Sequence, residues 1–503
     1  MKTLKPYFHR GDAETQRNPG STSPGSSLSS SSAPPRLRVE RNSVFPLSPP
    51  FFSASLRLCG GLTLALLSLH AQDTRTVTEP VIPPSCTVLP AKLPVKLSAG
   101  DETHLDTARI QAALDQCPAG QAVELKADGS AAAFLSGPVQ LRANVTLLVD
   151  RGVILYGSRN PRDYDITPGK CGTVDQAGHA CKPLISGDHV SGAAVMGDGV
   201  IDGRGGSQLP GQKVSWWDLA QEAKVKNLNQ NCPRILVLAH ADNFTLYRIT
   251  LKNSPNFHVS YSGGNGFTAW GVVIDTPSTA RNTDGIDPGN STNVTITHCF
   301  IHTGDDQVAI KAGMPGPTSH ITVSHNHFYT GHGMSIGSET DGGASAILVT
   351  DLSIDGADNG LRIKSNNTRG GLVHDILYED VCIRNTKNPI YMDSNYTAST
   401  GPTHDKFPTF TGIVLRNVRV EGEGKITLDG YDHTHRLGLT FDNVTLAQPA
   451  VIKESAHFAD LTLASQVNFL PGGEDVSVSR AGADSTRPAP ESCATKFTPM
   501  PSR

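Results

Sequence analysis

Charged and aromatic side chains are scarce in this chain of 503 residues. Asp, Glu, Lys and Arg make up 18% of it, and Phe, Trp and Tyr only 6%. The low charge and the 49 glycines exclude a coiled coil or a helical bundle, which need abundant Ala, Glu, Lys and Leu. Basic residues are not in excess, because 43 Lys and Arg stand against 47 Asp and Glu. The net charge of −4 therefore argues against a nucleic-acid partner.

Long apolar runs and metal-binding cysteine pairs are also absent. No apolar stretch reaches the roughly 18 residues that cross a bilayer, so we expect no membrane-spanning segment. The sequence contains neither a Cys-x-x-Cys pair nor a His/Cys cluster with the spacing of a zinc site. We therefore predict no structural metal.

The N-terminal region has the features of an exported protein. Residues 56–71 contain Arg57, an apolar stretch from Leu58 to Leu69 and a small residue before a cleavage point, which together predict a secretory signal peptide. A short buried helix is the alternative. Residues 1–55 are rich in Ser, Pro and Gly and predict either disorder or a mis-assigned start codon. Residues 1–71 hold eight basic and three acidic side chains, so the secreted, extracellular remainder has a net charge of −9.

Cysteine usage agrees with export. The pairs Cys86–Cys117 and Cys171–Cys181 each bracket a short segment and predict two disulfide bonds. Closing loops of this length contributes about 2–4 kcal/mol each. Cys299 and Cys382 lie inside β-rich runs, and we expect them to be buried thiols.

Short β-branched runs recur through most of the remaining chain. They begin at residues 267, 294, 321, 347, 376, 413 and 439, with steps of 27, 27, 26, 29, 37 and 26 between them. A repeat of this size predicts stacked coils that bury a continuous core between neighbours. Turns rather than helices link the runs, which excludes an α/β barrel and predicts an all-β parallel β-helix. A propeller is the weaker alternative, because its blades need four strands each.

The ends of this repeat set the predicted domain. We expect residues 72–470 to form the β-helix and residues 471–503 to form a flexible tail. The segment from Leu105 to Cys117 has its apolar residues on one helical face, and we predict a short N-terminal helix that caps the open end.

Several Asn-x-Thr sequons occur, for example at Asn144, Asn243, Asn293 and Asn443. They could be glycosylation sites. We favour asparagine at repeated coil corners, where it tolerates left-handed backbone.

Four polar motifs stand on successive parts of the repeat. They are Asn282-Thr283-Asp284, Gly304-Asp305-Asp306-Gln307, Gly331-His332-Gly333 and Arg362-Ile363-Lys364. Equivalent positions of stacked coils lie about 4.8 Å apart, so we expect these side chains on one surface. Arg362 and Lys364 are two residues apart and should share a strand face, while Ile363 points to the core.

Such a surface has a definite chemistry. Three clustered carboxylates repel one another, so at least one retains a proton near working pH. A protonated acid beside ionised carboxylates is what glycosidic cleavage requires. Adjacent cations would bind a sugar that carries its own carboxylate, meaning a uronic acid. A calcium site built from the aspartates is the structural alternative.

These motifs, in this order, resemble those of the polygalacturonases of glycoside hydrolase family 28. The resemblance covers about residues 75–465 and includes the strings VSWWDLA, NSPNFHV, STARNTDGIDP and TGHGMSIGSE. It implies a right-handed parallel β-helix and inverting hydrolysis of α-1,4-galacturonan without a metal or another cofactor. Because Asp305 and Asp306 are adjacent, inversion rests on the resemblance and not on the 6.5–9.5 Å carboxylate separation usual for inverting enzymes.

The resemblance also implies catalytic roles. Asp305 is similar to the general acid, and Asp284 and Asp306 to the carboxylates that activate water. His332 is similar to the histidine that adjusts the protonation of the acid or holds its geometry.

The other implied residues contact substrate. Arg362 and Lys364 are similar to the pair that binds the substrate carboxylate, and Tyr396 falls near a substrate-contacting tyrosine. Asn282 is expected to orient Asp284 or to bind sugar, and Gln307 is grouped with the substrate-binding residues.

We expect a monomeric endo-polygalacturonase whose partner is the polysaccharide polygalacturonate or pectin. Three alternatives remain open: an exo-acting polygalacturonase, a calcium-dependent pectate lyase with the same fold, and a non-catalytic adhesin.

Overall fold

A computed structural model describes residues 72–396, 405–481 and 492–502. The predicted extension and signal peptide at residues 1–71 lie outside these described residues. Within them, the two α-helices, Thr107–Gln116 (α1) and Trp216–Lys226 (α2), are both too short to cross a bilayer.

The chain winds into coils whose strands form three parallel ladders, as the repeat predicted. Sheet A contains Val139–Gln140, Ile185–Asp188, Leu236–Ala239, Val259–Ser262, Ile286–Gly289, Val308–Ile310, Met334–Ile336, Asn359–Lys364, Asn388–Asp393, Gly424–Asp429 and the first half of Ile452–Leu463. Sheet B contains Ser85–Pro90, Gln121–Lys126, Val145–Val149, Ala194–Met196, Phe244–Tyr247, Asn265–Trp270 and Thr292–Thr297. Sheet C contains Ala133–Ser136, Ile154–Gly157, Val200–Asp202, Thr250–Lys252, Val273–Asp275 and Phe300–His302.

Later coils join sheets B and C through long bent strands. These are Thr318–Phe328, Ala344–Asp355, Leu372–Arg384, Ile413–Glu421 and Leu437–Leu446, while Thr409–Phe410 and Gly473–Arg480 add to sheet B. A small antiparallel pair, Val174–Asp175 with Asn229–Gln230, lies outside the coils. Four short 3₁₀ turns complete the structure: Asp101–Thr103, Pro161–Tyr164, Pro449–Val451 and Cys493–Thr495.

One residue with left-handed backbone turns each coil from sheet B to sheet C. These corner residues are Gly271, His298, His325, Asp351, Asp380, Asn417 and Asn443, all with positive φ. Their numbers advance by the same steps as the β-branched runs, because each run begins a fixed distance before its corner. The four sequon asparagines named above have φ between 49° and 61°, which agrees with asparagine as a coil-corner residue.

Inward side chains stack into continuous apolar rows. In sheet A the residues Ile286, Val308, Met334, Leu361 and Ile390 pair in register on five successive coils, and each is fully buried. Burying a side chain of this size contributes about 1.5–3 kcal/mol. The stacked rows therefore make the coil a rigid support for the polar side chains on its outer surface.

Helix α1 covers the N-terminal end of these rows. It buries Ile110 and Leu114 and packs against the early strands Gln121–Lys126 and Val139–Gln140, as expected of a cap. The predicted disulfide Cys86–Cys117 fixes the end of the helix, and the predicted disulfide Cys171–Cys181 is also present.

Helix α2 was not predicted, although its sequence carries a start signal. Ser215 and Asp218 form a reciprocal capping box in which each side chain accepts a hydrogen bond from the other residue's backbone N–H.

Two predictions about the C-terminal part are wrong. Cys382 is not a thiol but forms a disulfide with Cys493, whereas Cys299 is a buried thiol as predicted. The segment predicted as a flexible tail contains the strand Gly473–Arg480, which extends sheet B. Beyond it, the Lys496 ammonium lies 2.8 Å from the Asp351 carboxylate. Backbone pairing and the disulfide hold the described parts of a segment whose composition alone indicated a loose end.

Candidate active site

The predicted acids lie where the chain enters strands of sheet A. Asp284 precedes the strand Ile286–Gly289, and Asp306 precedes Val308–Ile310. Because Ile286 pairs with Val308, the two aspartates occupy equivalent positions on neighbouring coils. Both side chains are buried, at 4% and 1% exposure. The sequence therefore brings two carboxylates together by coil register alone.

Asp305 is joined to the predicted histidine. His332 Nδ1 lies 2.9 Å from Asp305 Oδ1, and its Nε2 lies 3.7 Å from Asp358. Burial opposes ionisation of Asp305, but the positive charges of His332, Lys364 and Arg362 outweigh it and hold the pKa of Asp305 well below its usual range. Burial likewise opposes charging of His332, yet the Asp305 carboxylate raises the pKa of the imidazole. In the free protein the proton of this pair resides on His332.

Asp306 is enclosed by donors. Lys364 Nζ donates to Oδ2 at 2.8 Å, Arg362 to Oδ1 at 3.1 Å and the Ser335 hydroxyl to Oδ1 at 2.7 Å. Burial raises the pKa of Asp306, but Lys364 and Arg362 overcome this and lower it below the ordinary value. Asp306 is therefore a fixed anion. Ile363, which lies between Arg362 and Lys364 in the sequence, is fully buried, as the alternation of side chains along a strand predicted.

A fourth carboxylate, which the sequence reading missed, lies beside Asp284. Asp287 is 4% exposed, so its carboxylate is buried. Lys311 Nζ lies 3.4 Å from Asp287 and 3.8 Å from Asp284. Burial raises the pKa of Asp287 to about 7, and burial together with the charges of Asp287 and Asp305 raises the pKa of Asp284 well above its usual value. The site therefore combines ionised and protonated carboxyl groups.

The glycines around His332 are required by close backbone approach. Gly331 and Gly333 have φ of 146° and 86°. A Cβ on Gly333 would meet the carbonyl oxygens of Asn359 and Gly360, and one on Gly331 would lie 2.6 Å from the Thr303 hydroxyl. Only glycine fits on both sides of the imidazole.

Tyr396 lies beside the two predicted cations, whereas Gln307 does not serve the predicted role. The Tyr396 ring centroid is 5.2 Å from Arg362 Cζ and 5.5 Å from Lys364 Nζ. Gln307 is fully buried, and its amide donates to Tyr329 O and accepts from Gly333 N. Its assignment to substrate binding is therefore wrong, because its polar atoms are used to join two coils. Asn282 has left-handed backbone and is half-buried beside Asp284.

The same cluster offers ligand atoms to a metal ion. Ligand atoms of Asp305, Asp306 and His332 lie within 4.8 Å of one another. The two cations that contact Asp306 would repel a metal ion placed between these atoms. The donor set fits a metal ion poorly.

Further residues that the sequence reading missed surround these groups. Tyr391 lies 5.7 Å from Arg362 Cζ by its ring centroid and donates to Asp393 at 2.6 Å. Ser335 and Lys311 also touch the aspartates. A register alignment of the coils would have found Ser335 and Asp287, which occupy the same row as Arg362.

Comparisons with known proteins agree with this architecture. Residues 120–463 match the sequence profile of the glycosyl hydrolases family 28. An endo-polygalacturonase of Pectobacterium carotovorum subsp. carotovorum is 45% identical over 395 residues, which cover 78% of this chain and 94% of the relative. A polygalacturonase of Ralstonia solanacearum is 40% identical over 476 residues, covering 82% and 89% of the two chains.

Solved structures of polygalacturonases share this fold. The polygalacturonase from Erwinia carotovora ssp. carotovora superposes with a TM-score of 0.72 at 42% identity and covers 81% of this chain and 100% of its own. A family 28 exopolygalacturonase of Yersinia enterocolitica shares the fold, with a TM-score of 0.63 at 23% identity and coverage of 80% and 78%. This chain, an all-β parallel β-helix, belongs to glycosyl hydrolase family 28.

Proposed function

We propose that the protein is a secreted endo-polygalacturonase that hydrolyses α-1,4-galacturonosidic bonds of polygalacturonate or pectin with inversion. The observation that carries this proposal is the contact of Asp305 with His332 and of Asp306 with Arg362 and Lys364 in one partly buried cluster. Relatives named endo-polygalacturonase are similar over most of this chain and support the endo-acting alternative over the exo-acting one. The three disulfides fit the oxidising environment of a secreted protein.

Asp305 serves as the general acid, although the free protein holds it ionised. A substrate carboxylate bound at Arg362 and Lys364 adds a negative charge beside the cations that lower the pKa of Asp305. The pKa of Asp305 then rises, and the proton moves from His332 Nδ1 along the 2.9 Å hydrogen bond to Asp305. Asp305 donates it to the leaving glycosidic oxygen.

Asp306 and Asp284 activate the attacking water: Asp306 is the anion that accepts its proton, and Asp284, whose raised pKa favours the protonated form, holds the water through a hydrogen bond. Asp306 is held ionised by Arg362 and Lys364, so it accepts a proton from water without rearrangement. Tyr396, which lies over both cations, packs on the sugar whose carboxylate they hold, and Asn282 contacts sugar beside Asp284. The enzyme acts as a monomer.

The deciding experiment is Asp305→Asn, assayed on polygalacturonate. We expect release of reducing ends to fall by at least about 100-fold while polysaccharide binding is kept, because general-acid catalysis is lost. Unchanged turnover would remove Asp305 from this role. Absence of hydrolysis by the wild-type protein, with binding intact, would favour a non-catalytic adhesin.

Product analysis separates the remaining alternatives. An endo-acting hydrolase lowers viscosity rapidly and forms no unsaturated sugar. Slow viscosity loss with release of only monomer or dimer would indicate exo action. An ultraviolet-absorbing product whose formation stops with a chelator would indicate a pectate lyase.

A further inference from the structure

A second pair of cations lies on the other side of the catalytic carboxylates. Arg234 Cζ is 4.3 Å and Lys311 Nζ is 4.8 Å from the centroid of the same ring, that of Phe257. Arg234, Phe257 and Asp284 occupy equivalent positions on successive coils, because Leu236 pairs with Val259 and Val259 with Ile286. The row that carries the catalytic aspartates thus continues into an aromatic and a cationic residue.

The two lysines are related by the register of the coils. Ile310 pairs with Ile336 and Ile336 with Ile363, so the residues that follow them, Lys311 and Lys364, occupy one row two coils apart. Two coil steps correspond to about 10 Å along the helix axis. Lys364 contacts Asp306, whereas Lys311 lies beside Asp287 and Asp284. The catalytic carboxylates therefore have a lysine on each side.

We propose that Arg234 and Lys311, over Phe257, form a second carboxylate-binding subsite for galacturonate. It lies on the side of Asp284 and Asp306 opposite to Arg362 and Lys364. The inference rests on the proposed function and extends it to substrate choice. Every sugar of de-esterified galacturonan carries a carboxylate, so one chain presents anions to both cation pairs at once.

Charge and surroundings support this assignment. The chain without residues 1–71 has a net charge of −9, which repels a polyanion at long range. Substrate binding therefore depends on cations close to the catalytic carboxylates. Lys311 is 27% exposed at its side chain and remains accessible from the surface. Phe257 is only 7% exposed, and its ring holds the two cations together through cation–π contacts.

The consequence is a preference for unesterified substrate on both sides of the scissile bond. A methyl ester is neutral and cannot form a charge-assisted contact with either cation. Two carboxylate-binding subsites therefore penalise methyl-esterified pectin twice, and removing the second one removes part of that penalty.

The test uses Arg234→Gln and Lys311→Gln in the full chain. We compare kcat and KM on polygalacturonate and on the same polymer after partial methyl esterification. The expected result is a KM on polygalacturonate about 10-fold higher, as for loss of a charged hydrogen bond. The KM on the esterified polymer should rise less, so the preference for polygalacturonate falls. Lys126→Gln, in sheet B with 54% side-chain exposure, is the matched control and should leave both values unchanged.

The preference for polygalacturonate over the esterified polymer separates a loss of carboxylate binding from a loss of catalysis. Lys311 lies near Asp284, so Lys311→Gln could also lower kcat, but such a loss would affect both substrates equally. Arg234→Gln provides a second arm should Lys311→Gln fold poorly, as judged by its thermal transition. An unchanged preference in both variants would overturn the second subsite. Failure of the wild-type chain to hydrolyse polygalacturonate would instead refute the proposed function.

Discussion

Replacing Asp287 by asparagine tests the electrostatics of the site most directly. This carboxyl is buried beside Asp284, and the charge of Lys311 compensates it in part. Asparagine has nearly the same shape and cannot ionise. The substitution therefore removes a titration and leaves the packing almost unchanged.

The magnitude follows from the pKa. Burial raises the pKa of Asp287 to about 7 in the folded protein, against about 3.9 in an unfolded chain. Between these two values the folded state binds the proton more tightly, so its stability falls as pH rises and the full cost is reached above pH 7. At about 1.4 kcal/mol for each pKa unit, this cost is about 4 kcal/mol.

The assay is urea unfolding of wild type and Asp287→Asn at several pH values between about 4 and 8. The wild type should lose stability across this range, and Asp287→Asn should lose up to about 4 kcal/mol less. Asp188→Asn, whose side chain is 71% exposed, is the control and should follow the wild type. Parallel pH curves for wild type and Asp287→Asn would refute the reasoning, because they would mean that Asp287 titrates alike in both states.

Three further predictions concern Arg362, Gly333 and the C-terminal disulfide. Arg362→Ala should raise KM for polygalacturonate, because it removes a ligand of the substrate carboxylate; steady-state kinetics with an unchanged KM would count against carboxylate binding by Arg362. Gly333→Ala should abolish most activity and destabilise the fold, because its Cβ would meet two carbonyl oxygens beside His332; activity and thermal unfolding near wild type would contradict this. Replacing Cys382 and Cys493 by serine should cost about 2 kcal/mol more in urea unfolding than replacing Cys171 and Cys181, because the loops close over 111 and 10 residues. Equal losses would exclude the loop-entropy explanation.

Periodic features of the fold could be predicted because they repeat. Each coil places a left-handed corner and a β-branched run at fixed spacing, so the steps between runs gave the coil period directly. The same period brought Asp284 and Asp306 into one row, and the contacts of Asp305 with His332 follow from the next coil. Because the coils repeat, residues that are far apart in the sequence become neighbours in space at predictable positions.

Features that occur once could not be found in this way. Cys493 reaches Cys382 across 111 residues, and no local pattern reports that contact. Asp287 is a single polar residue within a strand and Lys311 directly follows one, and their importance appears only when burial is known. Gln307 was misassigned for a related reason. A polar residue beside a motif can form hydrogen bonds with the backbone of the coils instead of with substrate.

The site links substrate binding to protonation through shared cations. Arg362 and Lys364 keep Asp306 ionised and help to lower the pKa of Asp305 in the free protein. Those same cations are the proposed ligands of the substrate carboxylate, so an occupied site exerts a weaker positive field on Asp305. Under the proposed function, Asp305 therefore gains its proton from His332 when a uronic acid is bound, and a neutral sugar does not bring about this change. Selectivity for an anionic substrate and activation of the acid thus have one electrostatic cause.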